Sequence, residues 1–275
     1  MPNLTRRILR WLGIAGVAGM LGVGCEGMNF YSPAQEAQLG RDSFNKLKQQ
    51  KKNQIVTKGP MYERVQRVGA RLQEVANLEN AEWEFVLFKD TSANAFCLPG
   101  GKVGVHTGLF QITKENEAWL ATVVAHEVAH ATLHHGAQNL SRAQVQQTLG
   151  TAGNAVMSAS SIDSRAQLAV SLGYALLSGY NNSQYSQQYE FDADSIGLKY
   201  MAQAGYDPEE ALKFWQAFAK HKQAKGKNIP RFFRTHPADQ ARIENLRRLM
   251  PRVKNYHYRP RPKEPKATRA TPEKN

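Results

Sequence analysis

Apolar residues recur three and four positions apart over several segments of the chain, and this spacing predicts amphipathic helices. The first helix is more polar, but Ser32-Pro33-Ala34-Gln35 matches a capping box with proline in the first turn. The predicted helices run from Ser32 to about Gln50, from Pro60 to about Ala76, from Lys114 or Asn116 to Gly136, onward from Asp207, and up to Met250 before Pro251.

A short β-region is predicted between the second and third helices. Residues 83–88, W-E-F-V-L-F, have the alternation and composition of a strand, and a Pro-Gly-Gly turn precedes a second short strand. Because glycines let another backbone come close, this second strand is predicted to be an edge that binds a peptide through main-chain hydrogen bonds. The alternative is a hairpin without a ligand. The predicted substrate strand comprises Gly101, Lys102, Val103, Gly104 and Val105.

Candidate chemistry is concentrated in the third predicted helix, which contains His126-Glu127-x-x-His130. Residues four apart share a helix face, so the two imidazoles point at one place with Glu127 beside them. Catalytic zinc has three protein ligands and lowers the pKa of a water in its open position to about 7. Glu127 is placed to take the proton and later to pass it to a leaving amine. A helix with two unrelated histidines is the alternative, but an unpaired Glu and His would be costly to bury there.

A carboxylate pair follows some sixty residues later along the sequence. Glu190 and Asp194 lie four residues apart and share a helix face, whereas Asp192 points away. A buried carboxylate pair needs a metal or a histidine partner. Glu190 is therefore the predicted third metal ligand, and Asp194 is predicted to accept the second ring N–H of a ligating histidine. The alternative is a solvated acidic turn.

The remaining histidines have less definite interpretations. His236, in Arg-Thr-His-Pro, either precedes the last helix without a further role or faces the metal. In the second case it stabilises the oxyanion or occupies the open metal position at rest. His134 and His135 are predicted to lie in the last turn of the active helix, where cationic side chains suit the helix dipole. His106 is interpreted as an ordinary strand residue.

The N-terminus has the pattern of an export signal. Three arginines precede an uncharged stretch, residues 11–24, which is short for a membrane span and suits a signal peptide. It ends at Leu-Gly-Val-Gly-Cys25, which resembles a bacterial lipobox, so Cys25 is the predicted lipid anchor. Ordinary signal cleavage and an uncleaved anchor are the alternatives. Glu26 favours the outer membrane over the inner membrane if enterobacterial-type sorting applies.

The net charge of +13 does not by itself indicate nucleic-acid binding. Much of the excess lies in the first ten residues and beyond Arg252, where a basic Pro-rich tail is predicted to be disordered. No nucleic-acid partner is expected. The predicted organisation is a signal peptide over residues 1–24, a lipid-anchor linker over 25–31, a single metallopeptidase domain over 32–253 and the tail over 254–275.

Four motifs in this order carry a family resemblance: Asn-Ala-Phe-x-x-Pro-Gly-Gly, His-Glu-x-x-His, Glu-x-x-x-Asp and Arg-Thr-His-Pro. Over residues 32–250 the chain resembles HtpX-like and CaaX-prenyl-protease-type zinc metallopeptidases. The resemblance implies a mainly α (α+β) gluzincin-type fold, with a small sheet whose edge strand lies over one zinc ion per chain. It implies His126, His130 and Glu190 as ligands, Glu127 as catalyst, Asp194 behind a ligand and His236 near the site.

The chain departs from the integral-membrane members because it lacks their multiple spans, and it resembles a soluble, lipid-anchored bacterial branch. The expected function is a zinc endopeptidase on the periplasmic face of the outer membrane, with the inner membrane as the alternative location. Its expected substrates are unfolded or misfolded membrane-associated envelope proteins. Two other functions are considered. One is a chaperone-like lipoprotein with a structural zinc, and the other, based on the basic tail alone, is a nucleic-acid or anionic-lipid binder.

Overall fold

The computed structural model of the protein describes residues 27–152, 186–225 and 230–261. The predicted signal peptide, Cys25 and the last residues of the tail lie outside the described residues. The helices are α1 (Pro33–Gln50), α2 (Pro60–Gln73), α3 (Phe110–Thr113), α4 (Glu117–Thr132), α5 (His135–Ala152), α6 (Gln187–Gln203), α7 (Glu209–Lys225), α8 (Arg231–Thr235) and α9 (Gln240–Tyr256). The strands are β1 (Ile55–Val56), β2 (Glu84–Phe88), β3 (Ala95–Leu98) and β4 (Lys102–His106).

These elements confirm the predicted mainly α fold with one small sheet. Helix α1 begins with the predicted capping box, in which Ser32 Oγ accepts from Gln35 N–H and the Gln35 side chain accepts from Ser32 N–H. Helix α4 is capped by Asn116, whose side chain accepts from Trp119 N–H. Both starts are local features, which explains why the sequence predicts them.

The strand order of the sheet is β1-β2-β4-β3, with β2 and β4 parallel and the outer pairs antiparallel. The prediction of an edge strand at Gly101–Val105 is therefore wrong, because β4 pairs with β2 on one side and with β3 on the other. The edge is β3. Gly104 makes room for a side chain rather than for a ligand, since an added Cβ would lie 2.1 Å from Phe96 Cζ.

Helix α4 lies at the centre of the domain, and its residues from Leu120 to Ala131 are buried. It packs against α2, α6, α7 and β3. Because neighbours cover it on all sides, the helix is apolar on all sides and not only along one stripe. Helix α6 comes especially close at Gly197, where an added Cβ would lie 3.1 Å from Ala125 O and from His126 N. This close approach brings the Glu190–Asp194 face of α6 beside the His-Glu-x-x-His face of α4.

Two predicted helix ends differ from the structure. Helix α4 ends at Thr132 rather than Gly136, because His134 has a left-handed φ of 58° and the chain turns there into α5. Helix α9 continues through Pro251 to Tyr256. Proline removes one backbone donor, and burial of Met250 and Val253 on the same face outweighs that loss.

The described part of the predicted tail packs on the domain. Arg259 N–H donates to Ala202 O over 3.1 Å, and Arg261 forms an ion pair with Glu74. The predicted disorder from residue 254 is therefore wrong for residues 254–261. Within the three described ranges, no helix has the combined length and hydropathy needed to cross a bilayer.

Candidate metal centre

Helix α4 presents His126, Glu127 and His130 in its buried middle. The spacing of four residues places the two imidazoles on one face, and their Nε2 atoms lie 3.1 Å apart. Helix α6 adds Glu190, whose Oε2 lies 3.4 Å from His126 Nε2 and whose Oε1 lies 3.4 Å from His130 Nε2. The structure therefore brings the three predicted ligands together.

His236 follows α8 and belongs to the same group. Its Nδ1 lies 2.9 Å from Glu190 Oε1 and 3.2 Å from His126 Nε2, and only 4% of the residue is exposed. One nitrogen or oxygen from each of His126, His130, Glu190 and His236 lies within 4.8 Å of the others. We call these four residues the metal cluster. Of the two open interpretations of His236, the structure supports the one that faces the site.

The metal cluster fits a small divalent ion. Without a proton or a cation between them, the Nε2 lone pairs of His126 and His130 would face each other at 3.1 Å. A tetrahedral zinc ion with bonds of about 2.0–2.1 Å would keep them about 3.3 Å apart. Glu190 Oε2 and Glu127 Oε1 are also buried without a hydrogen-bond partner. Two imidazoles and a carboxylate are a donor set that zinc accepts.

Glu127 lies beside the metal cluster, with Oε1 3.2 Å from His236 Nε2. Burial raises the pKa of Glu127 to about 7, even though the neighbouring His236 opposes the rise. A carboxyl group with a pKa near neutrality can both take and return a proton at physiological pH. The predicted base is therefore in a position and an environment that suit acid–base chemistry.

Asp194 lies on the other side of His126, where its Oδ1 is 3.1 Å from Nδ1. Burial disfavours protonation of His126, but its contacts with Asp194 and Glu190 outweigh burial and raise its pKa. The carboxylate thus faces the ring nitrogen that points away from the metal cluster, as a carboxylate–histidine pair behind a metal requires. This is the position that the sequence predicts for Asp194.

Comparison with known proteins agrees with this geometry. Residues 61–250 match the model of peptidase family M48. The chain belongs to peptidase family M48. It is 36% identical over 181 residues to the mitochondrial metalloendopeptidase OMA1 of Saccharomyces cerevisiae, covering 64% of this chain and 49% of the relative. For OMA1 of Schizosaccharomyces pombe, the identity is 33% over 68% of this chain and 52% of the relative.

The chain is also similar to a bacterial protein. The β-barrel assembly-enhancing protease of Escherichia coli is 29% identical over 66% of this chain and 37% of its own length. The chain thus spans about half, or less, of the length of these curated relatives. Membership of family M48 confirms the predicted class of metal-dependent peptidase.

Arg242 lies beside the metal cluster but is absent from the site residues predicted from the sequence. It lies on α9, is 1% exposed, and donates from Nε and Nη2 to the two carboxylate oxygens of Asp194, each over 2.7 Å. Its Nη1 lies 2.8 Å from Glu190 Oε2, outside hydrogen-bond geometry, and its guanidinium lies 4.1 Å from the Trp215 ring centroid. Burial alone would raise the pKa of Asp194, but Arg242 outweighs it and lowers that pKa.

A signal for Arg242 is present in the sequence. Arg242, Leu246, Met250 and Val253 recur at helical spacing and are all buried. An arginine in the apolar stripe of an amphipathic helix indicates a buried anionic partner. The position of that partner on α6, however, depends on the tertiary packing.

His135 is the second residue of the site that was not predicted. It begins α5 and is 3% exposed, and its Nδ1 lies 2.9 Å from His130 Nδ1. The prediction that His134 and His135 share the last turn of the active helix is wrong, because the chain turns at His134. His134 instead lies 2.9 Å from Glu36 on α1. Helical spacing gives no signal for the contact between His135 and His130.

The edge strand β3 lies beside the catalytic helix. It packs against α4, the helix that carries Glu127, and it carries Cys97. Burial, and then Glu127, raise the pKa of Cys97 well above its usual range. The resemblance implies an edge strand over the metal site, and β3 rather than β4 has that position.

Proposed function

We propose that this M48 chain is a zinc-dependent endopeptidase in which His126, His130 and Glu190 hold the ion and Glu127 is the general base. The observation that carries the proposal is the convergence of the two Nε2 atoms and the Glu190 carboxylate beside the buried Glu127, whose Oε1 has no hydrogen bond. Zinc would supply a Lewis acid for the scissile carbonyl and lower the pKa of the attacking water.

The protein side of the reaction follows from the positions of the side chains. Glu127 takes a proton as water oxygen bonds to the carbonyl carbon, and it gives that proton to the amine nitrogen as the C–N bond breaks. The products are a carboxylic acid and an amine, and the acid then gives its proton to the amine, which leaves a carboxylate and an ammonium group. Asp194 fixes the orientation of His126 through Nδ1, and Arg242 holds Asp194 in place. These contacts keep the reacting groups in position before substrate binds.

His236 has a proposed role in each state of the site. Its Nδ1 and Nε2 lie within 3.2 Å of His126 and Glu127, respectively, so without substrate it occupies the fourth side of the metal cluster. When substrate is bound, the same imidazole can donate a hydrogen bond to the developing oxyanion. The edge strand β3 offers main-chain partners to an extended peptide beside it.

The proposed substrates are unfolded or misfolded membrane-associated proteins of the bacterial cell envelope. The export-like N-terminus and the E. coli relative, whose name refers to β-barrel assembly, support this class. We assign the chain to the soluble, lipid-anchored branch that resembles HtpX-like and CaaX-prenyl-protease-type enzymes, on the periplasmic face of the outer membrane. Zinc is its proposed single cofactor, and nucleic acid is not a proposed partner.

Contacts of the segment after Cys25 support action close to a membrane. Gly27 N–H donates to Tyr189 Oη over 3.4 Å, and Phe30 N–H donates to Ser141 Oγ over 3.0 Å. Gly27 and Phe30 therefore lie against α6 and α5, respectively. A lipid on Cys25 would hold the metal cluster near the bilayer. The mass of the mature N-terminus tests this anchor, and a cleaved but unacylated chain would contradict it.

A second candidate function is a binding lipoprotein with a structural zinc. The fourth member of the metal cluster, His236, favours it, because structural zinc sites close with four protein ligands. Glu127 has no role in such a site, and a buried carboxyl without a hydrogen bond on one oxygen would then be an uncompensated cost.

Glu127→Gln distinguishes the two functions. The variant should retain one zinc per chain and lose casein cleavage by at least about 10²–10⁴-fold, the usual contribution of a general base. The exposed Glu63→Gln on α2 is the control and should leave both quantities unchanged. Zinc content by mass spectrometry and cleavage rates are measured on the same samples.

Retained cleavage in Glu127→Gln would overturn the mechanism. A wild-type protein that holds zinc through four protein ligands by X-ray absorption and cleaves neither casein nor unfolded envelope proteins would favour the binding lipoprotein.

A further inference from the structure

His135 has a contact with the metal cluster that the proposed peptidase mechanism does not use. Its Nδ1 lies 2.9 Å from Nδ1 of His130, on the side of the His130 ring that faces away from Glu190. Both imidazoles are buried. Two ring nitrogens at this distance form a hydrogen bond only if one carries the proton and the other presents a lone pair.

The direction of this hydrogen bond follows from the other nitrogen of His130. His130 Nε2 points at His126 and Glu190, so it must present a lone pair if it is to bind a metal. A neutral His130 then carries its proton on Nδ1 and donates it to Nδ1 of His135. His135 thus lies behind His130 as Asp194 lies behind His126, but with an imidazole in place of a carboxylate.

The ring of His135 is itself held in place. It stacks on Tyr189 with ring centroids 4.1 Å apart and an interplanar angle of 3°. Tyr189 immediately precedes Glu190 on α6. The turn at His134, with its φ of 58°, starts α5 so that this ring lies against α4. One imidazole therefore connects the helix that carries His130 with the helix that carries Glu190.

We propose that His135 is a positioning residue that fixes the tautomer and ring orientation of His130 for zinc binding. The proposal rests on the proposed zinc site and adds a residue to it. A partner behind a ligating histidine typically contributes 10–100-fold in metal affinity.

Two nearly isosteric variants isolate the hydrogen bond. His135→Asn keeps an acceptor near the position of Nδ1, whereas His135→Leu has a similar size and no acceptor. We expect the zinc dissociation constant, measured by competition with a chromogenic chelator, to rise about 10–100-fold in the Leu variant. The Asn variant should stay within about threefold of the wild type. His134→Asn is the control, because asparagine tolerates positive φ and His134 contacts Glu36 instead of the metal cluster.

A measurement on the wild type needs no variant to fold. In ¹⁵N-labelled, zinc-loaded full-length protein, we expect a ¹⁵N–¹⁵N coupling across the hydrogen bond between His130 Nδ1 and His135 Nδ1. Absence of this coupling would overturn the proposal. Equal zinc affinity in the Leu, Asn and wild-type proteins would also overturn it. So would an equal loss of zinc affinity in the Leu and Asn variants, because that loss would come from the missing ring stacking and not from the missing hydrogen bond.

These outcomes are separate from a failure of the proposed function. If the wild-type protein binds no zinc, the zinc site itself is wrong. If it binds zinc and Glu127→Gln is inactive while His135→Leu binds zinc normally, only the role of His135 is wrong.

Discussion

The metal cluster and a second histidine group, the sheet cluster of Asp90, Ser92 and His106, both bury an imidazole beside a carboxylate. In the sheet cluster, Ser92 Oγ donates to Asp90 Oδ1 over 2.6 Å and lies 2.9 Å from His106 Nδ1. Lys51 Nζ donates to the other oxygen of Asp90 over 2.9 Å. The groups of the sheet cluster thus pair with one another, and they tie the end of β4 to the loop after β2.

The metal cluster differs in where its atoms point. Nitrogens and oxygens of four residues converge on one place, and the buried polar atoms without a hydrogen bond include Glu127 Oε1 and Glu190 Oε2. None of the buried unpaired atoms in the described part of the chain belongs to the sheet cluster. Convergence of several ligand atoms on one place, rather than burial of histidine, therefore distinguishes a metal site from a structural network.

The sheet cluster also contains the residue types of a Ser-His-Asp triad. A triad needs serine on one ring nitrogen and aspartate on the other. Here Ser92 Oγ and Asp90 Oδ2 approach the same atom, His106 Nδ1, at 2.9 and 3.6 Å. The imidazole cannot pass a proton between them in the way a triad does. This supports a structural role, consistent with the interpretation of His106 as an ordinary strand residue.

The largest effect is expected from removing Arg242, the cation beside Asp194 and Glu190. Arg242→Met should lower the free energy of unfolding by about 3–5 kcal/mol, because Asp194 would keep a buried charge without its bidentate partner. Urea unfolding of the zinc-free protein measures it. Arg247→Met on the same helix is the control; its side chain is 49% exposed and pairs with Glu244, so about 0.5 kcal/mol or less is expected.

Equal losses in the two arginine variants would show that Arg242 acts through helix α9 as a whole rather than through Asp194. A double variant, Arg242→Met with Asp194→Leu, sharpens the test. It removes both charges and should recover part of the stability lost in Arg242→Met, since replacing a buried pair by apolar groups costs less than breaking it.

Arg242 also marks the limit of prediction from the sequence. The two histidines of α4 and the cap at Ser32 are predictable because a helix converts a short spacing into a shared face. Glu190 is predictable as half of a carboxylate pair that needs a partner. The pairing of Arg242 with Asp194 depends on how α9 packs against α6, and the contact of His135 depends on a left-handed residue at His134. No local pattern specifies either.

The sheet shows the same division between local and non-local information. Local patterns predict the segments that form β2 and β4, but not their order. Placing β4 between β2 and β3 is a long-range choice, and it moves the expected edge from Gly101–Val105 to Ala95–Leu98. At Pro251 the local signal is misleading, because tertiary burial of the helix face overrides the helix-breaking preference of proline.

A smaller effect is expected from the metal itself, and it should separate the two histidine groups. Zinc at about 100 times its dissociation constant should stabilise the wild type by about 2.7 kcal/mol. His130→Ala should lose this increment, whereas His106→Gln should retain it, since His106 lies outside the metal cluster. Thermal unfolding with zinc and with chelator measures both. Loss of the zinc increment in His106→Gln would contradict the separation of the two clusters.

The smallest effect is expected from protonation of the sheet cluster. Burial lowers the pKa of His106 to about 4, although Asp90 opposes this, while Lys51 and Arg231 add to it. Since the unfolded chain keeps the ordinary value of 6.5, it binds more protons than the folded chain between these two values. The contribution of His106 to stability is therefore present above pH 6.5 and is lost as the pH falls toward 4.

From this difference between the folded and unfolded pKa of His106, about 2 kcal/mol of the free energy of unfolding should be lost between about pH 7 and pH 5. His106→Gln lacks the titrating group, so the stability difference between wild type and variant should shrink by that amount over this range in urea unfolding. Groups of the metal cluster titrate in both proteins and cancel in the difference. A difference that stays constant with pH would mean that the imidazole of His106 keeps its proton equilibrium on folding. The sheet cluster would then not exclude the charged ring.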